Sequence, residues 1–262
     1  MKRAGWTAII PAAGRGSRLG YDRPKILYPI AGRPILSWLL DLVSPHCERV
    51  VFVLSPSGVD EVEPEIRRLC PIEWEIRIQS EPRGMGDAVL QAGPAVRTEN
   101  CMVIWGDQVA LRSETLERGV AEHESRSGAL LTIPTILRKN PYIHFETDAQ
   151  GRLKSVLEAR ERPIPHEFGE NDCGLFFFDS DTLFAELERA RSDGSARGKT
   201  TGEFNLLPLL PRFDRNPGAV RLLRIVRPEE TYGINTIADA ELVSSYLEGL
   251  KPRRVPCEPC PS

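Results

Sequence analysis

Short runs of consecutive apolar residues alternate along the chain with stretches whose apolar positions recur every three or four residues. Thr7–Ala12 is an apolar run that predicts a buried strand. In Pro34–Val43, Ile35, Leu36, Leu39, Leu42 and Val43 fall on one side of a helix. Arg49–Leu54 is rich in Val and predicts a second strand. Val59–Leu69 reads as a helix despite Pro64, and Glu73–Gln79 alternates Trp74, Ile76 and Ile78 as a strand. Gly86–Val96 is a short helix broken near Gly93-Pro94, Cys101–Trp105 a fourth strand, Ser113–Ser125 a polar helix and Ala129–Ile136 a further strand. Strands separated by single helices predict an α/β fold, a doubly wound sheet of parallel strands.

The second half changes character. Tyr142–Thr147 and Leu153–Glu158, joined by Asp148-Ala149-Gln150-Gly151, predict a β-hairpin. Cys173–Phe178 is an apolar strand, Thr182–Arg191 a helix, Asp193–Thr201 a polar loop, Val220–Val226 a strand and Ile237–Leu250 a closing helix. Lys251–Ser262, with four prolines and two cysteines, is expected to be a tail. No internal repeat is visible, and no hexapeptide pattern of a β-helix.

The chain has 262 residues, which allows one large or two small domains, and 41% of them are hydrophobic, enough for a sizeable core. A formal net charge of −3 speaks against non-specific nucleic-acid binding. No apolar run is long enough to span a membrane, and Met1-Lys2-Arg3 leads into a strand, not a signal peptide. The six cysteines form no disulfide framework in a chain this long, so a reducing cytoplasm is expected. Cys257 and Cys260 form a lone pair spaced C-x-x-C; a zinc site would need two further ligands. Oligomeric state is not legible in the residues.

The chemistry gathers where strands end. The first strand runs into Pro11-Ala12-Ala13-Gly14-Arg15-Gly16-Ser17-Arg18-Leu19-Gly20. A strand feeding a glycine loop presents backbone N–H groups to a phosphate or a base edge. The third glycine comes one residue late for a dinucleotide fingerprint. Arg18 and then Pro24-Lys25 add two cations, which suits a triphosphate; a plain glycine turn with exposed cations is the competing reading. Gly194–Thr200 resembles a P-loop but is one residue short between its glycines and follows a helix, so it is set aside. Gln79–Val89 again crosses from strand to helix; an amide can read a base edge, and Gly84 and Gly86 leave backbone unobstructed. Trp105-Gly106-Asp107 puts a carboxylate at a strand end, where it can hold Mg²⁺ with phosphate oxygens or cap a helix. Asn235, in Gly233-Ile234-Asn235-Thr236, can be a second metal ligand or the cap of the last helix.

In this order, the first loop with its lysine, Gln79–Val89, Trp105–Asp107, Glu158, Gly202–Asn205 and Gly233–Thr236 resemble the sugar-phosphate nucleotidyltransferases, in particular their N-acetylglucosamine-1-phosphate uridylyltransferase (pyrophosphorylase) branch. The resemblance runs from about Thr7 to Leu247 and carries no acetyltransferase β-helix. It implies a single Rossmann-like catalytic domain over residues 1–250, mixed but mostly parallel, with a small β-hairpin region at about 140–175 over the acceptor. Backbone groups of Ala12, Ala13 and Gly14 would hold base and ribose, with Gly16 in the same nucleotide-binding loop. Arg18 and Lys25 would bind the triphosphate as the catalytic cations, Gln79 and Gly84 would read a pyrimidine, and Asp107 and Asn235 would bind Mg²⁺. Glu158, Asp172 and Tyr142 would face the acceptor.

The nucleotide side follows the family pattern; the acceptor side departs from it. The family's glycine beside the sugar is Pro141, its Asn is Asp172 in Asp172-Cys173-Gly174, and its Thr after Gly84 is Met85. Asp172 suits an acceptor with hydroxyls or a positive group, or else caps a loop. The expected reaction joins an NTP, with UTP or CTP favoured over dTTP or GTP, to a phosphorylated small molecule and releases pyrophosphate. A phosphate monoester has its second pKa at ~6, so its oxygen is already nucleophilic at neutral pH and no general base is required. His46, His123, His144 and His166 accordingly lie outside the phosphate motifs. Two rival readings are a glycosyltransferase using a nucleotide sugar and a non-catalytic nucleotide-binding module. The first would need an Asp-x-Asp metal motif, and Asp179-Ser180-Asp181 reads instead as the cap of the next helix.

Overall fold

The computed structural model describes residues 3–125 and 127–250. The tail with Cys257 and Cys260 lies outside the described residues. In chain order the elements are β1 (Arg3–Pro11), β2 (Pro29–Ile30), β3 (Arg33–Pro34), α1 (Ile35–Val43), β4 (Arg49–Leu54), α2 (Val59–Leu69), β5 (Glu73–Ile78), α3 (Met85–Ala92) and β6 (Thr98–Ile104). There follow α4 (Ser113–Glu124), β7 (Leu131–Lys139), β8 (Ile143–Thr147), β9 (Leu153–Glu158), β10 (Phe168–Asp172), β11 (Leu175–Asp179), α5 (Ser180–Asp193), β12 (Val220–Arg224) and α6 (Ile237–Leu250).

The central strands are apolar on both faces because both faces are covered. Ala8, Ile10, Val50, Phe52, Met102, Ile104, Leu175 and Phe177 pack on one side, against α1, α2 and α6. Their neighbours Ile9, Val51, Val53, Cys101, Val103, Phe176 and Phe178 pack on the other, against α3, α5 and the turns at 207–213. The sheet order is β10-β7-β11-β6-β1-β4-β5, with β12 also pairing β7. β6, β1, β4 and β5 are parallel. β11 runs antiparallel to both β6 and β7, and β10 antiparallel to β7, so the sheet is mixed.

The predicted hairpin is present as a separate two-stranded sheet of β8 and β9. β10 was not anticipated. Its Phe-Gly-Glu-Asn-Asp sequence lacks apolar alternation, because it buries Glu170, Asn171 and Asp172 in place of apolar side chains. Asp179 caps α5, its carboxylate accepting the N–H of Thr182 at 2.8 Å, as the sequence predicts for Asp179-Ser180-Asp181. The P-loop look-alike follows α5 through Gly194, not a strand. Among the described residues, no helix is long and apolar enough to cross a membrane.

Candidate active site

The chain leaves β1 toward β4 and β5 on one side, then returns to place β6 on the other. Such a reversal opens a crevice at the carboxyl ends of the two strands, where ligands of open α/β sheets bind. A cleft of about 670 Å³ lies there, lined by Pro11–Gly14 from the end of β1 and Trp105–Gln108 from the end of β6.

The loop after β1 folds back on itself. Arg15 and Pro24 form an isolated antiparallel bridge, and Lys25 N–H donates to Gly14 O at 3.5 Å. Buried Ile26 and Leu27 anchor the turn that Lys25 begins. The Lys25 ammonium therefore sits beneath the glycine loop, 2.7 Å from Asp107 Oδ2 and 3.2 Å from Asn235 Oδ1. An Arg18 Nη lies 3.4 Å from the same Asn235 oxygen. The cap of α6 belongs to Thr236, not Asn235: Thr236 Oγ1 accepts from Asp239 N–H, and Asp239 accepts in return from the N–H groups of Asn235 and Thr236. The Asn235 side chain is thereby released from capping and faces the cleft.

Asp107 and Asn235 aim two hard oxygens at one cation, the Lys25 ammonium. That donor set suits Mg²⁺ completed by phosphate oxygens and water. No cluster of three or more His, Cys, Asp or Glu that could hold a metal exists among the described residues, so any metal here would be only partly protein-held.

Gln79 is buried at the end of β5, where its Nε2 donates to Gly84 O at 3.0 Å and to Asp87 Oδ2 at 2.8 Å. Both partners are acceptors, which fixes the orientation of the amide. The sequence credits this amide with a donor and an acceptor for a ligand; the structure engages both N–H groups internally and leaves only the carbonyl oxygen. Gly84 has φ 109°, and a Cβ there would stand 2.5 Å from Phe204 O. Only glycine lets 203–205 pack across this turn.

The rest of the cleft is built from β9, β10 and the segment at 203–205. Asn171 Oδ1 accepts the Ile143 N–H at 3.0 Å and ties the hairpin to β10. Glu158 is buried; its Oε2 accepts from Arg160 Nε at 3.0 Å, and its Oε1 has no partner. Burial pushes the Glu158 carboxyl upward, with Arg160 opposing. Asp172 Oδ2 accepts the Gly174 N–H at 2.9 Å, so the loop-capping reading of this residue holds, while its carboxyl also lines the cleft. Desolvation, aided by Glu158, pushes Asp172 up to about 6.

Ala12, Ala13, Gly14, Arg18, Lys25, Gln79, Gly84, Asp107, Tyr142, Glu158, Asp172 and Asn235 all line this one cleft, Tyr142 at its exposed rim. Gly16 does not: it packs against Tyr21 and turns the backbone into the short helix at 17–19. Arg160, Gln108 and Arg138 line the cleft without having been singled out in the sequence. Among the described residues, no histidine or cysteine lines the cleft.

A glycine loop and two cations at the crevice of an open α/β sheet suit a polyphosphate ligand, and the fold is that of the nucleotidyltransferases. Residues 8–198 match the MobA-like NTP transferase domain, and the chain belongs to that family. It is 28% identical over 245 residues to the bifunctional protein GlmU of Pelotomaculum thermopropionicum, covering 92% of this chain and 51% of that protein. It is 29% identical to the GlmU of Heliobacterium modesticaldum, over 90% of this chain and 51% of the relative. The chain thus spans about half the length of these relatives. Its fold is shared with a UDP-glucose pyrophosphorylase solved with UDP-glucose (TM-score 0.71, 15% identity, 95% of this chain and 99% of that one). It is shared as well with 4-diphosphocytidyl-2C-methyl-D-erythritol synthase from Anaerococcus prevotii (TM-score 0.65, 17% identity, 94% and 96%).

Proposed function

We propose that this chain is a Mg²⁺-dependent pyrophosphorylase-type enzyme that joins UTP or CTP to a phosphorylated small molecule, such as a sugar 1-phosphate, and releases pyrophosphate. The observation that carries the reading is the Lys25 ammonium held under the glycine loop between Asp107 and Asn235. Lys25 and Arg18 draw the triphosphate into the cleft and offset the charge that grows as two anions meet. Asp107 and Asn235 would hold Mg²⁺, which when bound supplies further positive charge to the triphosphate oxygens. An oxygen of the acceptor phosphate attacks the α-phosphorus, a new P–O bond forms, and pyrophosphate leaves with the electrons of the bond that breaks. Alignment of the two substrates by the cleft supplies the entropic part of the acceleration. The nucleophile is the acceptor phosphate oxygen, which is already ionised near neutral pH.

The base is read by Gln79 Oε1, an acceptor, which meets N3–H of uracil or the N4 amino group of cytosine equally well. The relatives named GlmU and the UDP-glucose pyrophosphorylase fold support the uridine choice, and the diphosphocytidyl-methylerythritol synthase fold the cytidine one. The test is pyrophosphate release from each NTP mixed with a set of phosphate esters and Mg²⁺. Release that requires both substrates is expected. Binding of NTP with no release would make the chain a sensing module, and consumption of a finished nucleotide sugar would make it a glycosyltransferase.

A further inference from the structure

The acceptor half of the cleft carries negative charge that its own residues do not offset. Glu158 and Asp172 both line it and are 5% and 7% exposed. Glu158 has one cation, Arg160, and that guanidinium is divided, reaching Asn205 Oδ1 at 2.8 Å and Glu203 Oε2 at 3.5 Å as well. Glu158 Oε1 is buried without any partner. Asp172 has no cationic partner among the described residues; its carboxylate accepts the Gly174 N–H. Arg138, the other acceptor-side guanidinium, donates to Thr231 Oγ1 at 3.2 Å and pairs with neither acid. Trp105 closes the corner. A Cβ on Gly174 would stand 2.6 Å from Trp105 Cδ1, so the indole borders the turn that Asp172 caps, and Phe176 backs it at 5.1 Å.

Resting on the nucleotidyltransferase reading above, we infer that the acceptor is a phosphorylated or phosphonate small molecule bearing a protonated amine, which lies between Glu158 and Asp172 beside Trp105. A hydroxyl can donate to the free Glu158 oxygen but leaves buried Asp172 without counter-charge and Glu158 with only the divided charge of Arg160. An ammonium brings three N–H donors and a full positive charge. Buried carboxylates need such a partner, and an aromatic ring beside them favours a cation further. The amine takes no part in the bond exchange, in which the acceptor phosphate oxygen displaces pyrophosphate. It fixes the acceptor so that this oxygen points toward Lys25 and Asp107.

The experiment compares matched acceptors for pyrophosphate release with UTP and with CTP: 2-aminoethyl phosphate against 2-hydroxyethyl phosphate, glucosamine 1-phosphate against glucose 1-phosphate, and 2-aminoethylphosphonate against 2-hydroxyethylphosphonate. The pairs also separate amino-alcohol from amino-sugar sources. The amine member is expected to have the higher kcat/KM by about tenfold or more, the span of one charge-assisted contact. Asp172→Asn keeps an oxygen for the Gly174 N–H, and it is expected to bring that ratio toward one while the KM for the NTP stays unchanged. Its thermal midpoint is expected to hold or rise, because an uncompensated buried charge is gone; a merely structural Asp172 would lower the midpoint and leave the ratio intact. Glu158→Gln provides the same ratio test should Asp172→Asn not fold. Equal use of amine and hydroxyl members, or a preference for the hydroxyl member, overturns this inference and leaves the nucleotidyltransferase reading standing. No release with any acceptor overturns both.

Discussion

Lys25 Nζ lies 2.7 Å from Asp107 Oδ2 across 82 positions of sequence, and the same ammonium reaches Asn235 Oδ1, 210 positions away. Three segments remote in the chain thus share one charge. The ammonium sits where any cation held by these two oxygens would sit, which makes Lys25 the residue whose removal is most informative.

Lys25→Ala is expected to lower kcat for pyrophosphate release by about 10²–10³-fold, the usual effect of removing one preorganised charge donor. The unfolding free energy should change by less than about 1 kcal/mol, because the Lys25–Asp107 pair is partly open to water. Steady-state kinetics and urea unfolding check both halves; wild-type turnover in the variant would remove the phosphate role from Lys25.

Chelation is expected to abolish release and added Mg²⁺ to restore it. Asp107→Asn should raise the Mg²⁺ concentration needed for half-maximal rate by about tenfold or more, since the site's one carboxylate is lost. A Mg²⁺ titration of variant and wild type that superimposes would take Asp107 out of the metal site.

Arg160→Ala is expected to raise the acceptor KM while leaving that of the NTP alone. It strips Glu158 of its one cation and Asn205 Oδ1 of its donor. Because the guanidinium is about a third exposed, the stability loss should stay near ~1–2 kcal/mol, below that of a fully buried pair. Equal effects on both KM values would point to a general collapse of the cleft.

Gly84→Ala should destabilise the fold by about 1–3 kcal/mol, because its φ of 109° and the 2.5 Å approach to Phe204 O both exclude a Cβ. The shift is expected in the denaturant midpoint, together with weaker NTP binding as Gln79 loses the Gly84 carbonyl it donates to.

The Asp172 contribution to stability is expected to fall as pH rises from about 4 to about 6, opposing that of His123, which burial lowers from 6.5 to about 4 and whose contribution rises over the same range. Asp172 holds its proton to about 6 in the folded chain, against 3.8 ordinarily, so the folded state binds more protons in that window. Glu158 shifts in the same direction. The Asp172 contribution is at most about 3 kcal/mol, from the two-unit displacement, and water in the cleft reduces it. Asp172→Asn should make the slope of stability against pH more positive over this range in urea unfolding; an unchanged slope would place the ionisation elsewhere.

The central strands were legible because they are buried on both faces and read as unbroken apolar runs; Arg49–Leu54 is found where the pattern puts it. The first glycine loop was legible because adjacent residues build it. β10 was not, because its buried residues are polar: Asn171 and Asp172 line the cleft, and Glu170 pairs with Thr135 and Arg224. Arg160, Gln108 and Arg138 were not, because isolated polar residues carry no period.

By itself the sequence determined the alternation of strands and helices, the glycine loops at strand ends and the order of the phosphate motifs. These are local, set by side-chain periodicity and backbone freedom. The tertiary structure alone decided which way β11 and β10 run and which hydrogen bonds the Gln79 amide has left to offer. It also decided that Thr236 caps the last helix and that Asp172 and Glu158 share one poorly compensated corner. Those outcomes depend on contacts between residues far apart in the chain, where burial and charge act through space.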